Sequence, residues 1–155
     1  MIRMSRQTDY GLVLLLQFVR EENQGRNLSA RALAEATGLP VPMVSKVLKL
    51  LAREGLLVSS RGVNGGYTLA RPPDKISLRE VLTVLEGPLA MTECLDDESE
   101  CVREVVCPMR DKWEVINSAV LEVFRRITLE ELGREQSEKL VTIQSTARRP
   151  EMVSG

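Results

Sequence analysis

Three cysteines stand close together in the second half of the chain, as Cys94, Cys101 and Cys107. Six and five residues separate them, and acidic residues surround them at positions 93, 96–98, 100 and 104. Cysteines that only fill a core normally have apolar neighbours, so this cluster favours a chemical role. The stretch lacks a periodic apolar pattern, which predicts a loop that can gather the three sulfurs.

Thiolate chemistry leaves three interpretations of this cysteine cluster. A structural zinc site usually has four ligands with cysteine pairs two to four residues apart, so the wide spacing fits it poorly. A thiol–disulfide switch needs an electropositive setting that favours the thiolate, and this stretch is acidic. An iron–sulfur cluster fits better, because thiolates are its preferred ligands. The fourth position would fall to an oxygen or nitrogen donor, solvent or a neighbouring subunit, and such a labile cluster suits a sensor. Its nuclearity, 2Fe–2S or 4Fe–4S, stays open.

The composition excludes several other kinds of site. The chain has 155 residues, 43% of them hydrophobic and 28% charged, which is typical of one soluble, folded domain. It contains no histidine, which excludes Ser-His-Asp and Cys-His catalysis and histidine zinc ligands. Its apolar runs are too short to cross a bilayer, and an odd number of cysteines disfavours a disulfide-stapled secreted fold. We therefore expect a cytoplasmic protein without a membrane partner.

Charge is divided unevenly between the two halves of the chain. Residues 1–75 contain 11 basic and 6 acidic residues, whereas residues 76–155 contain 10 basic and 16 acidic residues. A basic half suits a polyanionic partner such as DNA.

The basic half also has the pattern of a winged helix-turn-helix. We predict a first helix over 5–22 capped by Ser5, a second from Ser29 to Gly38, and a third that ends near Glu54 and carries Pro42 in its first turn. Two β-like runs at 56–59 and 67–69 then flank a glycine-rich tip, in which Asn64-Gly65 favours a turn with positive φ. The fold class predicted is mainly α with a small β wing, and the DNA-binding domain covers residues 1–87.

The third helix and the wing carry the candidate DNA contacts. A recognition helix must bury one face and present polar and basic groups to the major groove. A wing needs glycines and a cation that can approach the DNA backbone or the minor groove. The residues that we expect at double-stranded DNA are Pro42, Met43, Ser45, Lys46 and Lys49 of the third helix and Arg61, Asn64 and Gly65 of the wing.

The second half divides into a fourth helix, the cysteine loop, another helical stretch and a tail. Ser77 and Glu80 match a capping box that opens the fourth helix, and the cysteine-containing, cluster-binding loop follows over 88–107. Residues 108–133 form a predicted long dimerisation helix region, with a second capping box at Thr128 and Glu131. The tail over 134–155 is polar, and we expect it to be flexible. A heptad seam in this region is the predicted dimer contact, and packing within the chain is the alternative. The seam consists of Trp113, Ile116, Val120, Val123 and Ile127.

Several segments of this sequence together resemble the Rrf2 family of winged-helix transcription regulators. They are the opening SRQTDYGL, the segment LAEATGLPVPMVSKVLKLLAREGLL, the wing SSRGVNGGYTLARP, the run ISLREVLTVLEGP and the three-cysteine loop. The resemblance covers about residues 1–132 and is strongest to members that regulate SUF-type iron–sulfur cluster assembly. It implies a homodimer whose C-terminal helix crosses to the partner, with a cluster near that helix that tunes promoter binding.

The resemblance also assigns roles to individual residues. Cys94, Cys101 and Cys107 match the three cluster cysteines of the family. Arg61 matches a wing arginine, and Ser45 falls where some members carry a base-reading glutamate.

The fourth cluster ligand is where this sequence departs from part of the family. Members with a 2Fe–2S cluster carry a histidine at the position of Arg110, whose guanidinium stays protonated and cannot coordinate iron. Nitric-oxide-sensing members use an aspartate from the first helix of the other subunit, and Asp9 matches that position. An ordinary first-turn acid favoured by the helix dipole is the alternative for Asp9.

These observations predict a homodimeric, non-enzymatic repressor that binds a palindromic operator and senses iron–sulfur supply through its cysteines. A nitric-oxide or redox sensor of the same family is the first alternative. A thiol or electron-transfer protein is an alternative from another class, which the missing histidine and the missing nucleotide fingerprint disfavour. A metal-free interaction module is the last alternative, and it would be colourless after anaerobic purification.

Overall fold

The computed structural model of the chain describes residues 4–20, 25–92 and 108–134. Within these ranges, three α-helices precede a hairpin, and a short 3-10 helix (Pro73–Lys75) and three further α-helices follow it. The elements are α1 (Arg6–Val19), α2 (Ala30–Thr37), α3 (Val41–Arg53), β1 (Leu57–Ser60), β2 (Gly66–Leu69), α4 (Leu78–Glu86), α5 (Arg110–Arg126) and α6 (Leu129–Gly133). The mainly helical fold with an antiparallel β1–β2 hairpin confirms the predicted winged helix-turn-helix class.

Local signals set the ends of the first three helices. Ser5 and Ser29 are the N-caps of α1 and α2, and each hydroxyl accepts the backbone N–H three residues further on. Gly38 ends α2 in the left-handed conformation, with φ 69°. Pro42 lies in the first turn of α3, where its missing N–H leaves no hydrogen bond unmade. These predictions are confirmed, although α1 ends at Val19 and not at residue 22.

The first wing strand lies one residue later than predicted, and the second begins one residue earlier but ends at Leu69 as predicted. In the register observed, Leu57 lies opposite Leu69 and Ser60 opposite Gly66. Leu56 is fully buried, and its N–H donates to the carbonyl of Leu51 at 2.9 Å, so it completes the end of α3 before β1 begins.

The wing tip needs its glycines for a reason other than the predicted one. The positive φ falls on Gly62, at 106°, and not on Gly65, so that prediction is wrong for Gly65. The N–H of Gly65 donates to the carbonyl of Gly62 at 3.0 Å, which tightens the turn. A Cβ on Gly65 would lie 2.7 Å from the carbonyl oxygen of Ser60, so close backbone approach excludes a side chain there.

A single hydrophobic core joins the helices to the base of the hairpin. It includes Val44, Val47, Leu48 and Leu51 of α3, whose spacing along the helix predicts a buried face. The core consists of Leu14, Leu15, Phe18, Val19, Leu33, Ala34, Val44, Val47, Leu48, Leu51, Leu56, Leu57, Ile76, Val81, Leu85 and Leu129.

The chain returns to this core after α5. Leu129 of α6 is fully buried, and the N–H of Leu78 donates to the carbonyl of Ile127 at 2.7 Å. The prediction that Ile127 continues the long helix is wrong, because α5 ends at Arg126 and Ile127 is extended, with φ −78° and ψ 125°. The predicted dimerisation region therefore divides into the helix α5 and a segment that packs on the winged domain.

The two predicted capping boxes have different outcomes. At Thr128 and Glu131 both reciprocal hydrogen bonds are present, which confirms the box. At Ser77 the hydroxyl accepts the N–H of Glu80 at 3.3 Å, but the carboxylate of Glu80 binds Arg71 instead of closing the box. In none of the three described ranges is a helix both long and apolar enough to cross a membrane.

Candidate nucleic-acid interface

Helix α3 has one buried face and one basic face. Val44, Val47, Leu48 and Leu51 are buried, and they fix the orientation of the helix. Opposite them, the exposed residues follow the helical repeat along the full length of α3 as Pro42, Lys46, Lys49 and Arg53. This outer face is basic, as contact with DNA requires.

The structure divides the five residues of α3 that were predicted to contact DNA. Pro42, Lys46 and Lys49 are exposed on the outer face. Ser45 is half-buried on its flank, and Met43 is half-buried against the core. The outer face therefore offers cations more prominently than base-reading polar groups.

A groove of about 380 Å³ runs along the basic face between α1 and α3. We call it the basic groove, and its lining residues are Gln7, Lys46, Lys49, Leu50 and Arg53. Neither lysine forms an ion pair within the described chain, whereas Nε of Arg53 lies 2.8 Å from Oε1 of Glu54. The sequence prediction missed Arg53 and Gln7 as site residues. The spacing of Arg53, seven residues after Lys46, is the signal that could have found it.

The wing places its predicted residues at the end of the hairpin. Arg61 and Asn64 are exposed and Gly65 is half-buried. The tip is held by Asn27, whose Nδ2 donates to the carbonyl of Asn64 at 3.1 Å and whose Oδ1 accepts the hydroxyl of Ser60 at 3.2 Å. No local pattern could have revealed Asn27, because its partners lie more than thirty residues further along the chain.

Asp9 lies in the first turn of α1 and is exposed. Its carboxylate makes no ion pair with any residue that the structure describes. The carboxylate of Asp9 is therefore available at the surface as an oxygen ligand for a metal.

The same turn of α1 is bound to the end of α4 through Glu86. Oε1 of Glu86 accepts the backbone N–H of Ser5 at 2.6 Å and also the hydroxyl of Thr8. The hydrogen bond from Thr8 is the main cause that lowers the pKa of Glu86 below its usual value, while partial burial opposes it. The carboxylate is thus ionised at neutral pH and joins the two helices.

Cys94, Cys101 and Cys107 lie outside the described residues. Before them in the chain, the N–H of Met91 donates to Oδ1 of Asn117 at 3.1 Å. After them, α5 begins at the exposed Arg110. Within residues 4–20, 25–92 and 108–134, no three potential His, Cys, Asp or Glu ligands come together at a metal-binding distance.

The predicted seam of α5 points in two directions. Trp113 and Val120 are half-buried and line a groove of about 440 Å³ that also includes Met4 and Pro88. Ile116 and Val123 are 41% and 53% exposed, respectively. The four seam residues on α5 are therefore divided between packing within the chain and an open apolar stripe.

Comparison with known proteins identifies the family of this chain. The family model Rrf2, described as "Iron-dependent Transcriptional regulator", matches residues 4–135. The chain belongs to the Rrf2 family. The regulator CymR of Bacillus subtilis is 32% identical to this Rrf2 protein, over 85% of this chain and 90% of CymR.

Solved structures agree with this assignment. The structure of B. subtilis CymR, titled the global cysteine regulator, matches with a TM-score of 0.67 over 86% of this chain and 97% of that one. T. potens IscR matches with a TM-score of 0.63 and 27% identity, over 84% of this chain and 85% of that one.

A third relative is NsrR of Bacillus licheniformis, which is 26% identical over 87% of this chain and 94% of NsrR. These similarities show that this Rrf2 protein is a DNA-binding transcriptional regulator, and the relatives are named as regulators and not as enzymes.

Proposed function

We propose that this Rrf2 protein is a homodimeric, cytoplasmic repressor whose affinity for a palindromic operator depends on an iron–sulfur cluster held by Cys94, Cys101 and Cys107. The genes of SUF-type iron–sulfur cluster assembly are its proposed targets. The observation that carries the proposal is the position of the cysteines in the chain. They lie in the stretch of chain that leads from the end of the winged domain, described up to Thr92, to the start of α5 at Arg110.

The donor chemistry of the chain fits such a cluster. Three thiols are available in one segment, and thiolates are the preferred ligands of iron–sulfur clusters. With no histidine in the chain, the fourth ligand must be of another type. Asp9 supports an oxygen ligand because its carboxylate is exposed and makes no ion pair in the described part of the chain. When bound, the cluster would supply a cross-link between the sulfurs that is lost when it decomposes.

The basic face of α3 supports the DNA-binding part of the proposal. Lys46 and Lys49 are exposed and without ion pairs in the described residues, so they can contact phosphates without breaking a bond within the protein. Arg61 and Asn64 extend the same role to the wing. In this arrangement α3 enters the major groove and the wing follows the adjacent backbone or minor groove.

The open stripe on α5 supports the homodimer. Ile116 and Val123 leave apolar surface uncovered, and an isologous contact between two copies would bury it. A dimer would then present two α3 helices to half-sites spaced by whole turns of about 34 Å.

The cysteine-bearing segment between Thr92 and Arg110 is the proposed switch of operator affinity. Release of the sulfurs would remove their constraint on the chain between Thr92 and Arg110. The angle between α5 and the winged domain would then change. Because two half-sites must be met at once, a change in that angle changes operator affinity. A differential stability of about 1.4 kcal/mol suffices for each tenfold change in affinity.

The test compares operator affinity with and without the cluster. The probe is a duplex selected from a random library by the anaerobically purified protein, and binding is followed by fluorescence anisotropy. We expect loss of the cluster, or replacement of all three cysteines by serine, to change the dissociation constant by at least about tenfold. Ser29→Ala, which removes an N-cap and leaves the sulfurs intact, is the control that should keep the response. Equal affinities with and without the cluster would contradict the sensor function while leaving DNA binding in place.

Asp9 favours a second candidate, a nitric-oxide sensor that uses the same cluster. An aspartate ligand would leave one iron easily attacked by a small molecule. If nitric oxide abolishes operator binding and iron limitation leaves it unchanged, this candidate replaces the first. Asp9→Asn should then change the rate of the reaction with nitric oxide.

A further inference from the structure

We propose that Glu86 is a positioning residue that links the cysteine-bearing segment to the DNA-reading helix by holding the first turn of α1. This inference rests on the proposed function, since it describes how the state of the cysteines reaches the basic groove.

The N-terminus of α1 lacks its own capping box. In such a box, a Glu or Gln at the third helical position binds the backbone N–H of the N-cap residue. Here that position is occupied by Thr8, whose side chain cannot fill the role. Glu86 takes it over from α4, 81 residues away, and binds the N–H of Ser5 at 2.6 Å. The start of α1 therefore depends on a residue of another helix.

The same carboxylate oxygen satisfies Thr8. This side chain is fully buried and is the buried polar side chain of the described core. Its hydroxyl donates to Oε1 of Glu86 and also lies 3.3 Å from Oγ of Ser5. Loss of Glu86 would remove the charged acceptor of this buried hydroxyl and leave it the weaker contact with Ser5. A negative charge at this end of α1 also interacts favourably with the helix dipole.

Close packing makes this contact rigid. Gly11 lies against Leu85, and a Cβ on Gly11 would be 2.5 Å from Cδ1 of Leu85. Nε2 of Gln7 donates to the carbonyl of Leu85 at 3.5 Å. The first two turns of α1 are thus packed directly against the last turn of α4.

The contact precedes the cysteine-bearing segment in the chain and adjoins the basic groove in space. Glu86 is the last residue of α4, and the chain turns at Gly87, with φ 90°, toward the segment that carries the cysteines. Gln7, in the turn of α1 that Glu86 holds, lines the basic groove beside Lys46 and Lys49. In this proposal, a displacement of the chain after Gly87 acts on Glu86, then on Gln7, and so on the groove.

Two variants break this contact in different ways. Glu86→Ala removes the acceptor and its charge. Thr8→Val keeps the charge of Glu86 and the shape of residue 8 but removes the donor. Glu35→Ala is the charge-matched control, because Glu35 forms only an exposed ion pair, with Arg31 on α2, among the residues that the structure describes, and such a pair contributes little to stability.

The experiment uses the full chain, with and without the cluster, and the duplex selected by the wild-type protein. We expect both test variants to raise the amide hydrogen-exchange rates of the first turn of α1 by at least about tenfold, which reports local fraying independently of the cluster. We also expect the cluster-dependent change in the dissociation constant, at least about tenfold in the wild type, to fall to less than about threefold in both variants, while Glu35→Ala keeps the wild-type change. Circular dichroism establishes that each variant is folded.

The outcomes separate the inference from the function on which it rests. A wild-type dissociation constant that is the same with and without the cluster overturns the proposed function and the inference with it. A cluster-dependent change that both variants retain at its wild-type size overturns only the inference. Should Glu86→Ala be unfolded, Thr8→Val decides alone, because its replacement side chain is of similar shape and suits a buried position.

Discussion

Helices α1 and α5 are similar in length but opposite in burial. Over 14 residues, α1 buries Leu14, Leu15 and Phe18 among others, whereas α5 buries none of its 17 residues within the described chain. Both carry apolar residues at helical spacing. The difference is that α1 packs against α3, α4 and α6 of its own chain, while Ile116 and Val123 of the outer stripe of α5 are 41% and 53% exposed.

This contrast separates two sources of helix stability. Burial of an apolar face against the same chain stabilises α1 as soon as the winged domain folds. Helix α5 is fixed at its C-terminal end, where Ile127 and Leu129 join the winged domain, but its open stripe can be stabilised only by further contacts. The winged domain should therefore be stable by itself, and α5 should respond to assembly and to the cysteine-bearing segment.

The largest effect is expected in the core of the winged domain. Leu48→Ala removes a fully buried side chain on α3 and should lower the free energy of unfolding by about 2–5 kcal/mol. Val58→Ala, at a site 53% exposed on β1, should change it by less than about 0.5 kcal/mol. Urea denaturation measures both. Equal losses would mean that the core does not dominate stability.

The next effect concerns the stripe of α5. Val123→Glu places a charge in the proposed dimer contact and should raise the dissociation constant of the dimer at least about tenfold, or about 1.4 kcal/mol. Val63→Glu, at the fully exposed wing tip, is the matched control and should leave it unchanged. Analytical ultracentrifugation gives the two constants. A dimer that tolerates Val123→Glu would show that the stripe lies outside the interface.

A smaller effect distinguishes phosphate contacts from base contacts. If Lys46 and Lys49 each neutralise one phosphate, each alanine variant should reduce the slope of log affinity against log salt by about 0.9 per protomer. Lys75→Ala removes the same charge from a lysine that is paired with Asp74 and should leave the slope unchanged. An unchanged slope for both test variants would remove the basic groove from the DNA contact.

The smallest effect is on the exposed surface of α5. Hydrogen bonds from Arg125 and then Arg126 lower the pKa of Glu122 from 4.5 to about 2. Since its folded-state pKa is depressed, any stabilisation by Glu122 is complete above pH 4.5 and is lost as the pH falls toward 2. The effect on stability should be slight, because these ion pairs are exposed. An NMR titration of the carboxyl carbon should give a midpoint well below 4.5, which the double variant Arg125→Ala, Arg126→Ala should restore. A wild-type midpoint near 4.5 would contradict these hydrogen bonds.

The parts of the fold that depend on neighbouring residues could be predicted from the sequence. Ser5, Ser29 and Gly38 end helices through bonds to residues three or four positions away, so their types and spacing were sufficient. The inner face of α3 followed from its helical repeat in the same way. Membership of the Rrf2 family was likewise predictable, from the motifs of the helices and wing.

The parts that depend on distant residues could not be predicted. Glu80 binds Arg71 instead of closing a capping box, and Glu86 caps a helix 81 residues away. Ile127 satisfied the heptad spacing, yet its carbonyl bonds to the start of α4. In each case a competing partner from elsewhere in the fold was decisive, and the local pattern holds no information about that partner.

The central claim is that Cys94, Cys101 and Cys107 hold an iron–sulfur cluster. The most direct measurement is the iron and acid-labile sulfide content of the anaerobically purified protein, read together with its visible and Mössbauer spectra. The account predicts a coloured protein that contains iron and sulfide in equal amounts, and a colourless one when the three cysteines are replaced by serine. A wild-type protein without iron, or a serine variant that keeps the colour, would contradict it.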